Sequence, residues 1–582
     1  MGRKVAVGDG SGSRSLAYNE AGKVTGESYT AGLLNGLSLT HSYDSLLRRD
    51  GLTLKEGATP LHNQGFAYGD ASRLSGVTAG TDTVEYGYLT NSPLVGTMTF
   101  QRSGNTVMTT NKDHDFVNRL AATETVSGNT TVSHHEYDYT ALSQRNRVDL
   151  ADGGHWVYQY NSKGEVINGT RFDAGNNAIG GLNLGYAFDG IGNRQSTTVD
   201  GVTDAAYTAN ALNQYTDITT SVTVTPVHDA DGNLVDDGTK TLEWDGENRL
   251  KSVRRKSDNA LIATYTYDDQ SRRVRKETTP LAPQGASDEV FMWDGWNVVG
   301  ELSNNAGTFT PVRYYTWGSD LSGTQQGAGG VGGLVMEKDA ATGEVYFPCF
   351  DGNGNVTNLV AAGSGTVAAA YEYDPFGKVV SSSGSYAGAN PYRFSTKPVD
   401  AETGYSYYGY RFYNPVDGRW INRDPLGDSA FFNSQVRNKT EKEYISLKDA
   451  ATHSQYVFLK NNGISSIDSH GLKRWLVDYL HTSVVVESWN DKCCRTGYLQ
   501  IDFGPAIGWG ALLLIPDFGF WCPGVVVISP TEKPSGSPIN STCKQDQILI
   551  DTAELLSVNP PSYSLWAFNC RHFSAVILGV GL

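Results

Sequence analysis

Along most of the chain, short runs in which apolar and β-branched residues alternate with polar ones are interrupted by clusters of Asp, Asn and Gly. Period-two alternation between such breaks predicts strands joined by tight turns, and no sustained helical period competes with it. A tyrosine, phenylalanine or tryptophan followed by Asp, then a Gly-Asn or Leu-x-Arg turn, then a β-branched run recurs about every 20 residues. Copies run from Tyr43-Asp44 with Leu47-Arg48-Arg49, through Tyr137-Asp138 with Leu142 and Arg145, Phe188-Asp189 with Gly192-Asn193-Arg194, and Asp231-Gly232-Asn233-Leu234. They continue through Trp244-Asp245 with Glu247-Asn248-Arg249-Leu250 and Tyr267-Asp268 with Ser271-Arg272-Arg273-Val274 to Tyr373-Asp374-Pro375-Phe376-Gly377. Asp, Asn and Gly tolerate the left-handed backbone values of tight turns, so each copy reads as a hairpin. One hairpin cannot bury its own face, and neighbours must pair into a long sheet.

Composition agrees: 66 Gly, 32 Tyr and 11 Trp with 19% charged residues describe a mainly β chain. The net charge of −16 argues against a general nucleic-acid coat or a binder of anionic membranes, so nucleic acid is not a favoured partner. The first twenty residues carry basic side chains without an apolar core, which predicts no cleaved secretory signal. Residues 511–528 are interrupted by Pro516, Asp517 and Pro523, too broken to predict a transmembrane helix. Cys349 stands alone, whereas Cys493, Cys494, Cys522, Cys543 and Cys570 fall within the last 110 residues. That asymmetry predicts two different kinds of domain in one chain. The late cysteines lack the paired C-x-x-C spacing of a zinc site, so no metal and no cofactor is expected, and disulfides formed in an oxidising space are the better reading.

The repeats resemble the tyrosine-aspartate repeats of the RHS family, and residues 371–425, from YEYDPFGKVV to PYRFSTKPVDAETGYSYYGYRFYNPVDGRWINRDP, resemble its core-end signature. The resemblance implies a long spiralling β-sheet that forms a hollow cocoon (residues 1–370), a core-end or plug region (371–472) and a C-terminal effector (473–582). Family shells are generally longer, and the chain opens already within repeats. The string QYVFLKNNGISSIDSHGL, ending at Leu472, resembles the family's closing motif. In relatives that cut themselves, two aspartates act as a pair and the bond after the closing Gly-Leu is cleaved. Carried over, the pair is Asp424 and Asp468 and the scissile bond joins Leu472 to Lys473. This sequence departs from the family's Asp-Pro-x-Gly-Leu by placing Ser469-His470 after Asp468. Each aspartate is also a natural turn cap, before Pro425 and Gly471. Arg419 and Arg423 flank the first one, and either could hold a carboxylate or form a turn ion pair.

From Lys473 the repeat stops and continuous apolar runs begin, which predicts a separate small α+β domain. It carries 7 Lys and Arg against 9 Asp and Glu, a balance that does not favour a nuclease. His481 opens a β-type run. If Asn569 caps a terminal helix, Cys570 falls in its first turn, where free amides favour a thiolate. The string Asn569-Cys570-Arg571-His572-Phe573 resembles the nucleophile motif of permuted papain-like proteins, the PPPDE peptidases and the lecithin retinol acyltransferase group. That resemblance implies Cys570 as nucleophile and His481 as general base, with no third residue identifiable. The combined expectation is a bacterial toxin made in the cytoplasm, delivered by a specialised system, paired with an immunity protein and acting on a protein, peptide or lipid of a recipient cell. A second reading is a surface or secreted protein whose aromatic repeats bind sugars or other cells and whose last domain is a cap.

Overall fold

The computed structural model describes residues 3–428, 455–468 and 470–472, followed by the backbone of the strands Leu476–Val477, Ser483–Glu487, Tyr498–Asp502, Val525–Pro530, Tyr563–Phe568 and Leu578–Gly579. The chain divides into two compact units, residues 1–478 and 479–582. In the first unit a 20-stranded antiparallel sheet runs from Ala6–Asp9 to Thr223–Val224, and a 14-stranded one from Val227–His228 to Val379–Ser383. Each strand pairs with its neighbours in sequence, as a chain of hairpins must.

A recurring device closes the hairpins that carry the repeat motif, while hairpins between them turn at glycines such as Gly57, Gly80 and Gly104. Asp44 Oδ1 accepts the amides of Leu46 and Arg48, both at 2.9 Å, while its Oδ2 accepts Arg48 Nε at 2.7 Å. Leu47, between those amides, takes the left-handed conformation at φ 61°. Asp115, Asp189, Asp245, Asp268 and Asp351 repeat this arrangement. The aromatic before the turn ties it to the strand before it: Tyr43 Oη donates to Val24 O, Tyr68 to Arg49 O and Tyr139 to Leu120 O, each 19 residues back. The turn arginine then stacks on the next repeat's ring, Arg48 over Tyr68 at 4.8 Å and Arg119 over Tyr139 at 4.3 Å. At these aromatics the pairing register slips by one residue, as between Ser42 and Tyr43 or Thr266 and Tyr267. Such bulges raise the local right-handed twist, so the sheet coils. Two repeats differ from the sequence reading. The turn after Tyr139 uses Thr140 Oγ1 as acceptor, with Asp138 inside a strand, and the first turn of the second sheet begins at Asp229 rather than Asp231.

The second sheet is covered on both faces. Along Thr308–Trp317, Tyr314 stacks on His62 of the first sheet at 5.0 Å and Thr316 Oγ1 lies 3.1 Å from His62 Nε2, whereas Tyr315 and Trp317 point the other way, onto Tyr392 at 4.9 and 5.6 Å. Strands such as Val345–Phe350 and Leu334–Asp339 are accordingly buried at consecutive positions, while those of the first sheet alternate. The covering segment follows residue 385 and forms a small sheet of Ser406–Tyr407, Phe412–Asn414 and Arg419–Trp420. No described tyrosine or tryptophan is exposed, so the rings serve the interior rather than presenting faces to solvent. No helix among the described residues is long and apolar enough to cross a membrane.

In the second unit, Ser483–Glu487 pairs with Tyr498–Asp502, and Tyr563–Phe568 lies between Val525–Pro530 and Leu578–Gly579. The apolar tail expected as a terminal helix therefore ends, at 578–579, as a strand.

Two stability predictions follow from buried charge. The Asp268 and Arg272 side chains are 0% and 3% exposed and 2.6 Å apart. Asp268→Ala removes one buried partner and should cost about 3–5 kcal/mol in urea unfolding, whereas Asp44→Ala, in a more exposed turn, should cost less. Glu337, fully buried, accepts from Tyr386 Oη at 2.7 Å and lies 3.5 Å from Arg313 Nε. Burial raises its carboxyl to about 7 from an ordinary 4.5, against the pull of Arg313. Between those values the folded state holds a proton the unfolded state has released, so stability should fall by about 3 kcal/mol as pH rises from 4.5 to 7. Unfolding curves of Glu337→Gln should lack that slope.

Candidate functional site

The last described segment of the first unit, residues 455–472, lies across the turns of both sheets. Asn461 Nδ2 donates to Gly192 O (2.8 Å) and Glu165 Oε1 (3.0 Å), Tyr456 Oη to Gly232 O (2.8 Å), and Asn353 Nδ2 to Gly463 O (2.5 Å). Turn carbonyls left over at the sheet edge thereby find donors. Phe458 completes a cluster with Phe394, Tyr408, Tyr413 and Trp420, its ring 4.1 Å from that of Tyr413 and 5.4 Å from that of Trp420. The guanidinium of Arg411 lies over Trp420, 4.0 Å from the ring centre.

Arg411 gathers both predicted aspartates. Its Nη2 is 3.0 Å from Asp424 Oδ2 and 3.1 Å from Asp468 Oδ2, so those oxygens are within about 6 Å of each other although 44 residues separate them in the chain. All three side chains are buried. Arg411 Nε donates to Gly471 O and Nη1 to Gln455 O at 3.3 Å. Burial lowers the guanidinium from its ordinary value, opposed by the two carboxylates. The other oxygens close turns, as the sequence also allowed. Asp424 Oδ1 accepts Leu426 N at 3.0 Å, capping the turn Pro425–Gly427. Asp468 Oδ1 accepts His470 N at 3.2 Å and Leu472 N at 3.0 Å. The Asp468 carboxylate is thus bonded to the amide of the residue whose carbonyl begins the expected scissile bond. Gly471 takes φ 71°, the left-handed position that Leu47, Asn118 and Ser271 occupy three residues after the aspartates of the shell turns.

A second cation faces Asp468. Lys397 Nζ is buried, donates to Gly329 O at 2.8 Å, and is pushed down to about 8 by burial, against Asp468 and Asp320. A cavity of about 20 Å³ beside it, lined also by His470, Tyr408, Gly409 and Trp296, has room for one water. Of the arginines singled out in the sequence, Arg419 stacks on Tyr215 at 3.9 Å and Arg423 donates to Gln455, so neither holds the pair. The residue that does, Arg411, lies in an aromatic run with nothing in its spacing to connect it to a carboxylate. Lys473, His481 and Cys570 lie outside the described residues, and so do all the cysteines of the last 110. Cys349 is buried, its thiol pushed up to about 12 by desolvation. No group of His, Cys, Asp and Glu among the described residues is arranged to hold a metal.

No family model matches the chain. It is 26% identical over 301 residues to the tRNA3(Ser)-specific nuclease WapA of Bacillus spizizenii, an overlap of 51% of this chain and 11% of that protein. To the double-stranded DNA deaminase toxin A of Burkholderia cenocepacia it is 28% identical over 203 residues, 32% of this chain and 14% of the other. Among solved structures, the TcdB2-TccC3-Cdc42 crystal structure superposes with a TM-score of 0.51 at 16% identity, covering 79% of this chain and 21% of that one. These relatives include bacterial toxins, the large antiparallel sheets are shared with the solved structure, and the chain spans between about a tenth and a fifth of the length of the proteins it matches.

Arg411→Met should leave two buried carboxylates facing each other without their shared cation. The expected loss is about 3–5 kcal/mol in urea unfolding, with residues 455–472 becoming the first site of limited proteolysis.

Proposed function

We propose that the chain is the shell-bearing part of an RHS-type bacterial toxin that frees its C-terminal effector by hydrolysing its own backbone between Leu472 and Lys473. The observation that supports this is the Asp468 carboxylate held 3.0 Å from Leu472 N while Asp424 meets it on one guanidinium. In the reaction, water adds to the Leu472 carbonyl carbon as one carboxylate takes its proton. The other, protonated, gives a proton to the Lys473 nitrogen as the C–N bond breaks, leaving a Leu472 carboxylate and a free Lys473 amine. Two carboxylates in one site suit this because mutual repulsion separates their roles into base and acid. Ser466–Ile467 pairs with Leu476–Val477, across the bond, and that pairing keeps both product ends at the site after the cut.

The effector acts in a recipient cell after delivery, and an immunity protein protects the producer. Its chemistry is that of a thiol hydrolase or acyltransferase, Cys570 attacking a carbonyl of a protein, peptide or lipid and His481 taking the thiol proton. The named activities of the nuclease and deaminase relatives belong to those proteins, yet they keep nucleic acid among the targets to be assayed, since a nearly neutral domain needs only a small basic site to hold one.

Denatured intact mass of the full-length protein beside Asp468→Asn tests the release: wild type should yield a fragment of roughly 12 kDa, as about 110 residues require, and the variant none. A single uncut mass for both would defeat the reading. In a susceptible strain producing the full chain, Cys570→Ala should restore growth. Persisting growth arrest with degraded or deaminated nucleic acid would replace the thiol chemistry with that of the relatives.

A further inference from the structure

The aspartate turns of the shell and the candidate cleavage site are one structural element with one difference. At seven shell turns the residue four after the aspartate bonds to Oδ2, Arg48, Arg119, Arg249 and Arg272 through Nε at 2.7 to 2.8 Å and Asn193, Asn233 and Asn355 through Nδ2 at 2.7 to 3.0 Å, whereas at Asp374 that oxygen faces Tyr186 Oη at 3.5 Å. At Asp468 the amides two and four residues on are bonded to Oδ1 as in the shell, the left-handed residue is in place, and the fourth residue is Leu472. Leucine has nothing to donate, and Oδ2 turns to Arg411 instead. Asp424 closes a different turn, Oδ1 accepting Leu426 N at 3.0 Å while the Asp428 amide donates to Pro425 O, and its Oδ2 also faces Arg411.

We infer that position 472 decides whether an aspartate turn of this fold is inert or reactive, an apolar residue there releasing the second carboxylate oxygen to the paired site that Arg411 assembles. This deepens, and rests on, the self-cleavage proposed above. Arg411 is the positioning residue: it holds each carboxylate by Oδ2 and, through Nε, the carbonyl of Gly471, one residue before the cut. A donor at 472 would recapture Oδ2 within the turn, as Asn355 does for Asp351 at 2.7 Å, and withdraw it from the reaction.

The test uses full-length chains in which only residue 472 varies, cleavage being followed by intact mass during cell-free synthesis. Leu472→Asn keeps the shape of leucine and adds the shell's own donor, and Leu472→Arg adds the other donor the shell uses. Both should slow cleavage by about 100-fold or more, the lower end of what a positioned acid–base group contributes. Leu472→Met and Leu472→Ala, which add no donor, should be cut at least about tenfold faster than either donor variant, because they leave the acid–base pair available. Urea midpoints, read for every variant in an uncut Asp424→Asn background, separate chemistry from folding. A donor variant that is cut like wild type overturns the inference. So does loss of cutting in the Met and Ala variants, or a donor-variant midpoint below that of Leu472→Ala, because either assigns the effect to packing. An uncut wild type fails differently: it removes the cleavage reading itself.

Discussion

Backbone amides two and four residues beyond an aspartate, both bonded to its Oδ1 across one left-handed residue, set the geometry of the repeated hairpins in this protein. The turn they close is rigid because a single acceptor satisfies amides that would otherwise face solvent or go unpaired. Rigid turns at regular intervals put each repeat's aromatic over the preceding strand. There its hydroxyl or indole N–H reaches a carbonyl, as Tyr267 reaches Leu250 O at 2.8 Å and Trp317 reaches Val298 O at 2.6 Å. The register slip at that aromatic supplies the twist, and the twist lets the second sheet lie against the first with its other face left for the terminal segment.

Layering explains where charge is tolerated. Arg273 reaches across to Asp400 with bonds of 2.6 and 2.9 Å, and Arg313 joins Glu301 to Glu337, all between the second sheet and the segment that covers it. The Arg273–Asp400 pair spans 127 residues, and Arg313 and Glu337 reach the segment through Ala389 O and Tyr386 Oη, so these groups hold the covering segment to one place rather than adding much net stability. The Arg411 site is the last of the series and differs in ratio: one guanidinium serves two carboxylates, with Lys397 as a second positive charge beside Asp468.

Under the proposed self-cleavage, structure and cutting would be done by the same element. A turn repeated along the shell, with one side chain changed, places a carboxylate against its own backbone. Nothing new has to be built for such a site. Only the partner carboxylate and the bridging arginine must be brought to it, and the covering segment brings both.

Much of this was legible in the sequence because turn chemistry is local. The strands and the hairpin order follow from residues within five positions of one another, whereas Asp424 and Asp468 were singled out as a pair only through the family resemblance. Locality also explains the small errors. Thr140 and Asp229 do the work assigned to Asp138 and Asp231 because a bulge shifts the frame by a residue or two, and period-two patterns do not reveal bulges. What only the tertiary structure decided is which side chains meet across the layers: that the second sheet is buried on both faces, that Arg419 and Arg423 turn to Tyr215 and Gln455, and that Arg411 joins the two aspartates. No spacing rule encodes those meetings, because they are set by the accumulated twist of many strands, and the desolvated charges take whichever partners that packing brings within reach.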